Sequence, residues 1–232
     1  MSNKNSRYLC SLFKIGFMGS HCVGKTKYVK MLYKWFIEKG NYNEDEIAYI
    51  YEIVRDCPFE VNERTSLKAQ KWILEKQMER EKYFFELNKR IIITDRTVVD
   101  NFAYLLYAKR VSAKDITVKD VGLYAREVDF WLKVHSYNII FYIRVPNRLE
   151  ENDEEIEDDG FRSLNKSFQL EIDKIIETIL IDRFNLSVIN NEVKEYRMMN
   201  NIYMIYVDYG NIELGFKKIL EVIMKYKEDD II

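Results

Sequence analysis

The stretch that most limits what this chain can become runs from Gly19 to Thr26, Gly-Ser-His-Cys-Val-Gly-Lys-Thr, directly after the apolar run Leu12 to Met18. A glycine, four residues and then Gly-Lys-Thr form the phosphate-binding loop (Walker A) pattern, which carries weight only between a buried strand and a helix. Both are predicted here. Leu12 to Met18 reads as a strand, and Lys25 to Lys39 places Val29, Leu32, Tyr33, Trp35, Phe36 and Ile37 at helical spacing before Gly40 stops it. Gly19 and Gly24 lack the side chain that restricts the backbone, so successive amides can turn inward. The amides of Gly19, Ser20, His21, Cys22, Val23, Gly24, Lys25 and Thr26, with the helix N-terminus behind them, then hold an anion. Triphosphate is the expected anion, with Lys25 neutralising its β- and γ-phosphates and Thr26 offering a hydroxyl to a bridging Mg²⁺. The side chains of His21 and Cys22 are assigned no chemistry.

Strand and helix patterns alternate after the loop. Ile47 to Tyr51 is a second strand ending at Glu52, and Pro58 makes Asp56 to Asn62 an ordered loop at its carboxyl end. A long helix from about Thr65 to Asn88 leads to the β-branched run Ile91-Ile92-Ile93-Thr94-Asp95. Helices over Val98 to Lys109 and Val118 to His135, a strand over Asn138 to Ile143, and a helix over Lys166 to Phe184 follow. A fifth strand at Ile202 to Val207 and a closing helix at Ile212 to Tyr226 complete the chain. The alternation predicts an α/β fold of the P-loop NTPase kind: a five-stranded parallel sheet flanked by helices, with ligands at the strands' carboxyl ends.

Composition narrows the class. The 232 residues suffice for one good-sized core, so one domain spanning 1–232 is expected, with a lid at about 147–165. Hydrophobic residues at 47% with only two prolines and eight glycines exclude a disordered or fibrous chain. Basic and acidic residues, 36 against 38, leave no sequence-wide footprint for coating nucleic acid, although a local basic channel remains allowed. Cys10, Cys22 and Cys57 lack metal-type spacing and fit a reducing compartment. No run approaches the ~20 apolar residues of a membrane helix, so a soluble cytoplasmic protein without a membrane partner is expected.

Three constellations point to phosphoryl transfer. Asp95 tips an apolar strand, where a carboxylate near Thr26 completes a metal site, and Arg96 follows at the same rim, where its guanidinium can fork onto a phosphate or a neighbouring carboxylate. Glu52 ends the adjacent strand. It can take the proton of a hydroxyl acceptor, whereas a phosphate acceptor shifts the weight to Arg55 and Arg96. Gln70 and Gln77, two turns apart on one side of the long helix, are candidates for reading the acceptor through their amides, and Trp72 for stacking on its ring, although a Trp at helical spacing among leucines more often belongs to the core. Glu150 to Asp159 holds eight carboxylates in ten residues before Gly160-Phe161-Arg162, which suggests a lid whose Arg162 swings onto the transferring group, with Arg144 and Arg148 as rivals for that task.

The phosphate loop, Glu52-Ile53-Val54-Arg55-Asp56-Cys57-Pro58-Phe59 with Asn62-Glu63, Ala69-Gln70-Lys71-Trp72-Ile73, Thr94-Asp95-Arg96 with Asp100-Asn101-Phe102-Ala103-Tyr104, and Asp159-Gly160-Phe161-Arg162-Ser163 occur in one order. In that order they resemble the small P-loop kinase-like ATPases related to the ribosylnicotinamide kinase domain of NadR, over roughly residues 12 to 210. The resemblance implies the fold of nucleoside and thymidylate kinases. It also implies Lys25, Thr26 and Asp95 on MgATP, Arg96 and Arg162 near the phosphates, and Glu52, Arg55 and Gln70 towards the acceptor. Cys22, Lys27 and the longer acidic lid depart from that pattern.

The expectation is a Mg²⁺- and ATP-dependent phosphotransferase acting on a nucleoside, nucleotide or related small molecule, for which a homodimer is allowed. The alternatives are a kinase of polynucleotide ends or modified DNA bases, and a nucleotide-gated ATPase without an acceptor. Against a motor, Arg96 and not a catalytic Glu follows Asp95; against a GTP switch, no Asn-Lys-x-Asp stretch occurs.

Overall fold

A computed structural model describes residues 12–111, 115–145, 163–184, 196–197, 203–207 and 211–229. Every residue of β1 (Phe13–Met18), β3 (Ile91–Asp95) and β4 (Ile139–Ile143) is buried. Strands of that kind need cover on both faces, which a parallel sheet built from strand and helix crossovers provides. The remaining elements are α1 (Lys25–Glu38), β2 (Ile47–Ile50), α2 (Leu67–Glu86), α3 (Val98–Val111), α4 (Val118–Val134), α5 (Lys166–Phe184), β5 (Tyr196–Arg197), β6 (Tyr203–Val207) and α6 (Ile212–Asp229). Single 3₁₀ turns at Glu44–Glu46, Ile53–Asp56 and Asn62–Arg64 flank β2. Local signals set the helix starts: the Ser66 hydroxyl accepts from the Ala69 amide before α2, and Thr117 with Asp120 forms a capping box before α4.

The strand order is β2-β3-β1-β4-β6-β5. The ladders among β2, β3, β1, β4 and β6 are parallel. The sequence reading of five parallel strands is corrected in one respect: β5 adds a sixth, antiparallel to β6 and only two residues long. Two residues are too few for a periodic signal.

Side-chain alternation divides the core. Ile15, Phe17, Ile139, Phe141 and Ile143 face α1 and α6, whereas Ile140 and Tyr142 face α3 and α5. Helix α2 covers the β2 and β3 edge, with Trp72 packed against Ala48, Ile50, Ile53 and Ile92. Because β1 sits between β3 and β4 while the chain visits β2 and β3 first, the connection after β3 crosses β1, and that reversal opens a crevice at the strands' carboxyl ends. Among the described residues no helix is long and apolar enough to cross a membrane.

One polar residue breaks the apolar run of β1. The buried Lys14 ammonium meets Glu81 Oε2 at 2.5 Å and donates to the His135 carbonyl at 2.8 Å. Glu81 also accepts from Trp131 Nε1 and Tyr137 Oη, each at 2.6 Å, and from Gln77 Nε2 at 2.7 Å. This network lies at the amino end of β1, remote from the phosphate loop. Replacing Glu81 by Leu strands the Lys14 charge and three donors. Chemical denaturation is therefore expected to show a loss of about 3–5 kcal/mol. Removal of the exposed Lys34 from its pair with Glu38 is expected to change little, so equal effects would contradict this account of the network.

Candidate active site

The phosphate loop closes between β1 and α1 under three local constraints. Gly19 and Gly24 take φ of 150° and 84°, and a β-carbon on Gly19 would run into the Ile143 carbonyl of the neighbouring strand. Cys22 also has a positive φ, 58°, and is half-buried, while Val23 points down into the α1-side core and anchors the loop. Ser20 is buried. Helix α1 begins at Gly24 with no side-chain cap and no acidic residue in its first turn, so its positive dipole end is not neutralised from within.

Lys25 is folded into the loop, its ammonium donating to the carbonyls of Gly19, at 3.0 Å, and of Ser20. Burial, followed by the nearby Arg96 charge, lowers its pKa from 10.5 to about 8, with Asp100, Asp95 and Glu52 pulling the other way. Thr26 Oγ1 donates to Asp95 Oδ2 at 2.5 Å, joining the helix start to the tip of β3. The other carboxylate oxygen, Asp95 Oδ1, is buried without a hydrogen-bond partner. Burial first, and the Glu52 charge second, push the Asp95 carboxyl above its ordinary value. An orphaned carboxylate oxygen beside a threonine hydroxyl at the mouth of a phosphate loop is the donor set a magnesium ion takes, so the residues present fit that ion.

On the far side of Asp95 the strand tips line a cavity. Its polar wall is His21, Glu52, Asn62, Gln70, Arg96, Asn101 and Tyr104, and Val54, Val61 and Ile73 make it partly apolar. Glu52, only 4% exposed, accepts from Arg96 Nε at 2.9 Å and from Nη2 at 2.8 Å on Oε1, and from Arg55 Nε at 3.2 Å on Oε2. The Arg96 guanidinium lies 4.9 Å over the Tyr104 ring, with Nη1 3.9 Å from Asp100. Gln70 donates to Thr65 Oγ1 at 2.8 Å, which fixes its amide at the wall. Asn101 Nδ2 is buried at the same wall with no hydrogen-bond partner.

Glu52, Arg96 and Gln70 thus meet around one cavity, and Arg55 stands beside Glu52 with its side chain 38% exposed. Gln77 and Trp72 do not join them. Gln77, two turns further along the helix than Gln70, is buried against Glu81, and Trp72, on another side of the helix, packs on the β2 edge. Arg144 is engaged by Glu177 at 3.0 Å and Asp173 at 3.5 Å on α5. Arg148, Arg162 and most of the expected lid lie outside the described residues. Of residues 147–165 only 163–165 are described, and there the Ser163 hydroxyl donates to Glu63 at 2.5 Å.

The His21 side chain, assigned no chemistry from the sequence, stands at the cavity wall. Its imidazole lines the cavity, stacks on Phe168 at 4.9 Å and lies 3.4 Å from the Tyr104 hydroxyl, while its carbonyl accepts from Gln169 at 2.7 Å. Asp100, Asn101 and Tyr104 were singled out only as part of a resemblance. Two adjacent polar residues in the first turn of a helix whose next seven residues, 102–108, are apolar or aromatic were the available signal.

No protein-family model matches this chain, and no curated protein sequence matches it. Solved structures do. A deoxyadenosine kinase from M. mycoides with products dCMP and a flexible dCDP bound is similar at a TM-score of 0.59 and 16% identity, over 92% of this chain and 100% of that one. The same enzyme with bound dATP gives 0.58 and 16%, over 91% and 98%. A thymidylate kinase from Ehrlichia chaffeensis gives 0.59 and 16%, over 92% and 99%. The fold is that of the deoxynucleoside and thymidylate kinases. The comparisons do not confirm the narrower resemblance to the NadR kinase domain.

A triphosphate favours the charged form of Lys25, whose pKa in the free protein is about 8, so binding takes up protons and affinity falls as pH rises through 8. Calorimetry of MgATP at pH 8.5 in buffers of different ionisation enthalpy is expected to show fractional proton uptake that Lys25→Met abolishes. Equal uptake in both proteins would contradict the assignment.

Proposed function

We propose that this protein transfers the γ-phosphoryl group of ATP to a hydroxyl of a nucleoside or deoxynucleoside, in the cytoplasm where ATP is supplied. The observation that carries the proposal is Glu52: a nearly buried carboxylate in a cavity that adjoins a phosphate loop, close enough for its charge to act on Lys25. A phosphate loop alone fits hydrolysis as well as transfer. A second cavity with a proton acceptor at the shared wall favours transfer.

The roles follow from the contacts. The loop amides and Lys25 hold the β- and γ-phosphates, Lys25 exchanging its bonds to Gly19 and Ser20 for bonds to phosphate. Thr26 and Asp95 would hold magnesium, which supplies charge neutralisation on those phosphates. Glu52 takes the acceptor's hydroxyl proton on Oε2, the oxygen with the longer 3.2 Å contact, while Arg96 keeps Oε1 in place. Gln70 and Asn101 offer amide edges to the acceptor, and the γ-phosphoryl group of ATP passes in line to the deprotonated oxygen, with ADP as the leaving group.

A monophosphate acceptor is the second reading, favoured by the likeness to a thymidylate kinase and by Arg96 at the cavity wall with Arg55 beside Glu52. Arg96 Nε and Nη2 and Arg55 Nε are already engaged by Glu52, which favours the hydroxyl, whereas the buried Arg96 Nη1 has no hydrogen-bond partner and is the donor a phosphate would take.

Incubation with labelled ATP and a panel of nucleosides, deoxynucleosides, ribosylnicotinamide and monophosphates decides between them. Label is expected on a nucleoside hydroxyl. Glu52→Gln is expected to lower kcat by roughly 10²–10⁴-fold with ATP binding intact. Label on monophosphates alone, or a Glu52→Gln enzyme of normal kcat, would overturn the hydroxyl reading. MgATP bound without transfer to any acceptor would overturn the kinase reading.

A further inference from the structure

Arg96 is held in a backbone conformation that L-residues rarely adopt, with φ of 97°, while buried at the tip of β3. Such a conformation persists only where the surroundings over-determine it. Both peptide planes flanking Arg96 are pinned. Ahead of it, the Arg96 amide donates to the Phe17 carbonyl at 3.0 Å, extending the β1 and β3 ladder by one bond. Behind it, the Arg96–Thr97 peptide is bonded at both ends by side chains. Gln77 Nε2 donates to the Arg96 carbonyl at 3.4 Å, and the Thr97 amide donates to Asp100 Oδ2 at 2.8 Å.

We propose that Gln77 and Asp100 form a clamp on the Arg96–Thr97 peptide, and that Gln77, which does not line the cavity, is a positioning residue for the acceptor site. Gln77 cannot easily turn away, because the same amino group donates to Glu81 at 2.7 Å, and Glu81 is fixed in turn by Lys14, Trp131 and Tyr137. Asp100 is fixed on its other oxygen by the Gly19 amide at 2.9 Å, so one carboxylate holds both the start of the phosphate loop and the peptide that aims Arg96. The consequence lies in the side chain. Reversing the sign of φ at Arg96 swings its Cα–Cβ bond, and the guanidinium then loses the paired Nε and Nη2 bonds to Glu52 Oε1. The buried Lys14–Glu81 network, which touches no part of the cavity, is thereby tied through Gln77 to the geometry of Glu52.

The functional half of this inference rests on Glu52 and Arg96 serving the acceptor, and the structural half stands without it. In nitrogen-15 NMR of the wild-type protein both Gln77 amide protons are expected to be protected from exchange; rapid exchange of both overturns the clamp whatever the variants do. Gln77→Met keeps length and volume but donates nothing. It is expected to accelerate exchange of the Arg96 Nε proton at least tenfold, with the Trp131 indole proton and MgADP affinity within twofold of wild type, and a crystal structure of the variant should show Arg96 at negative φ. Gln77→Asn, too short to reach Arg96, serves if Gln77→Met fails to fold. Where deoxyadenosine or thymidine is turned over, kcat/KM for that nucleoside is expected to fall tenfold or more with KM for ATP unchanged. A folded Gln77 variant with unaltered Arg96 exchange and unaltered φ overturns the proposal. Altered Arg96 geometry with normal turnover overturns its functional half alone.

Discussion

A guanidinium taken out of water must be compensated by charge and hydrogen bonds, or the fold loses several kcal/mol. Arg96 is almost fully buried at the tip of β3, and the crevice is arranged around its compensation. Glu52 supplies the near carboxylate, Asp100 a second one, and Tyr104 an aromatic face. Each partner has a further duty: Glu52 lines the cavity, Asp100 holds the first amide of the phosphate loop, and Tyr104 meets His21 of the same loop. Neutralising one buried charge therefore brings together the pieces of two adjacent sites.

The sheet makes that economy available. With β1 flanked by β3 and β4, the phosphate loop leaves the sheet between Asp95 on one side and Ile143 on the other. Contact with the Ile143 carbonyl requires glycine at position 19, and the register of Phe17 with Asp95 sets the carboxylate beside Thr26. β2 ends one strand further out, which places Glu52 across the cavity from the loop. The donor and acceptor sites are neighbours because strand tips one or two ladders apart are neighbours.

Much of this was legible in the chain, and the exceptions have physical causes. The phosphate loop, the helix behind it and the strand-tip residues Glu52, Asp95 and Arg96 could be placed because β-branched runs and glycine spacing are local signals. Gln77 lies outside the cavity that Gln70 lines because a seven-residue spacing shows that two side chains share a helix face while leaving them about 10 Å apart along it. His21 was missed because a side chain inside a phosphate loop is oriented by residues far along the chain, here Phe168 and Gln169 on α5. The strained Arg96 backbone left no trace in the sequence. Its causes, Gln77 and Asp100, are polar residues inside helices, where the bland expectation is exposure, and only the folded chain shows them buried with a shared peptide between them.

The central claim is that one crevice holds a triphosphate on the loop and a second reactant against Glu52 at the same time. It is tested most directly by the crystal structure of the protein with a two-headed ligand, adenosine and deoxyadenosine joined 5′ to 5′ through five phosphates. The phosphate chain is expected on the amides of residues 19–26 and on Lys25, with one nucleoside seated between Glu52, Gln70 and Arg96. Phosphates on the loop with that nucleoside left in solvent, or no binding at all, would contradict the account.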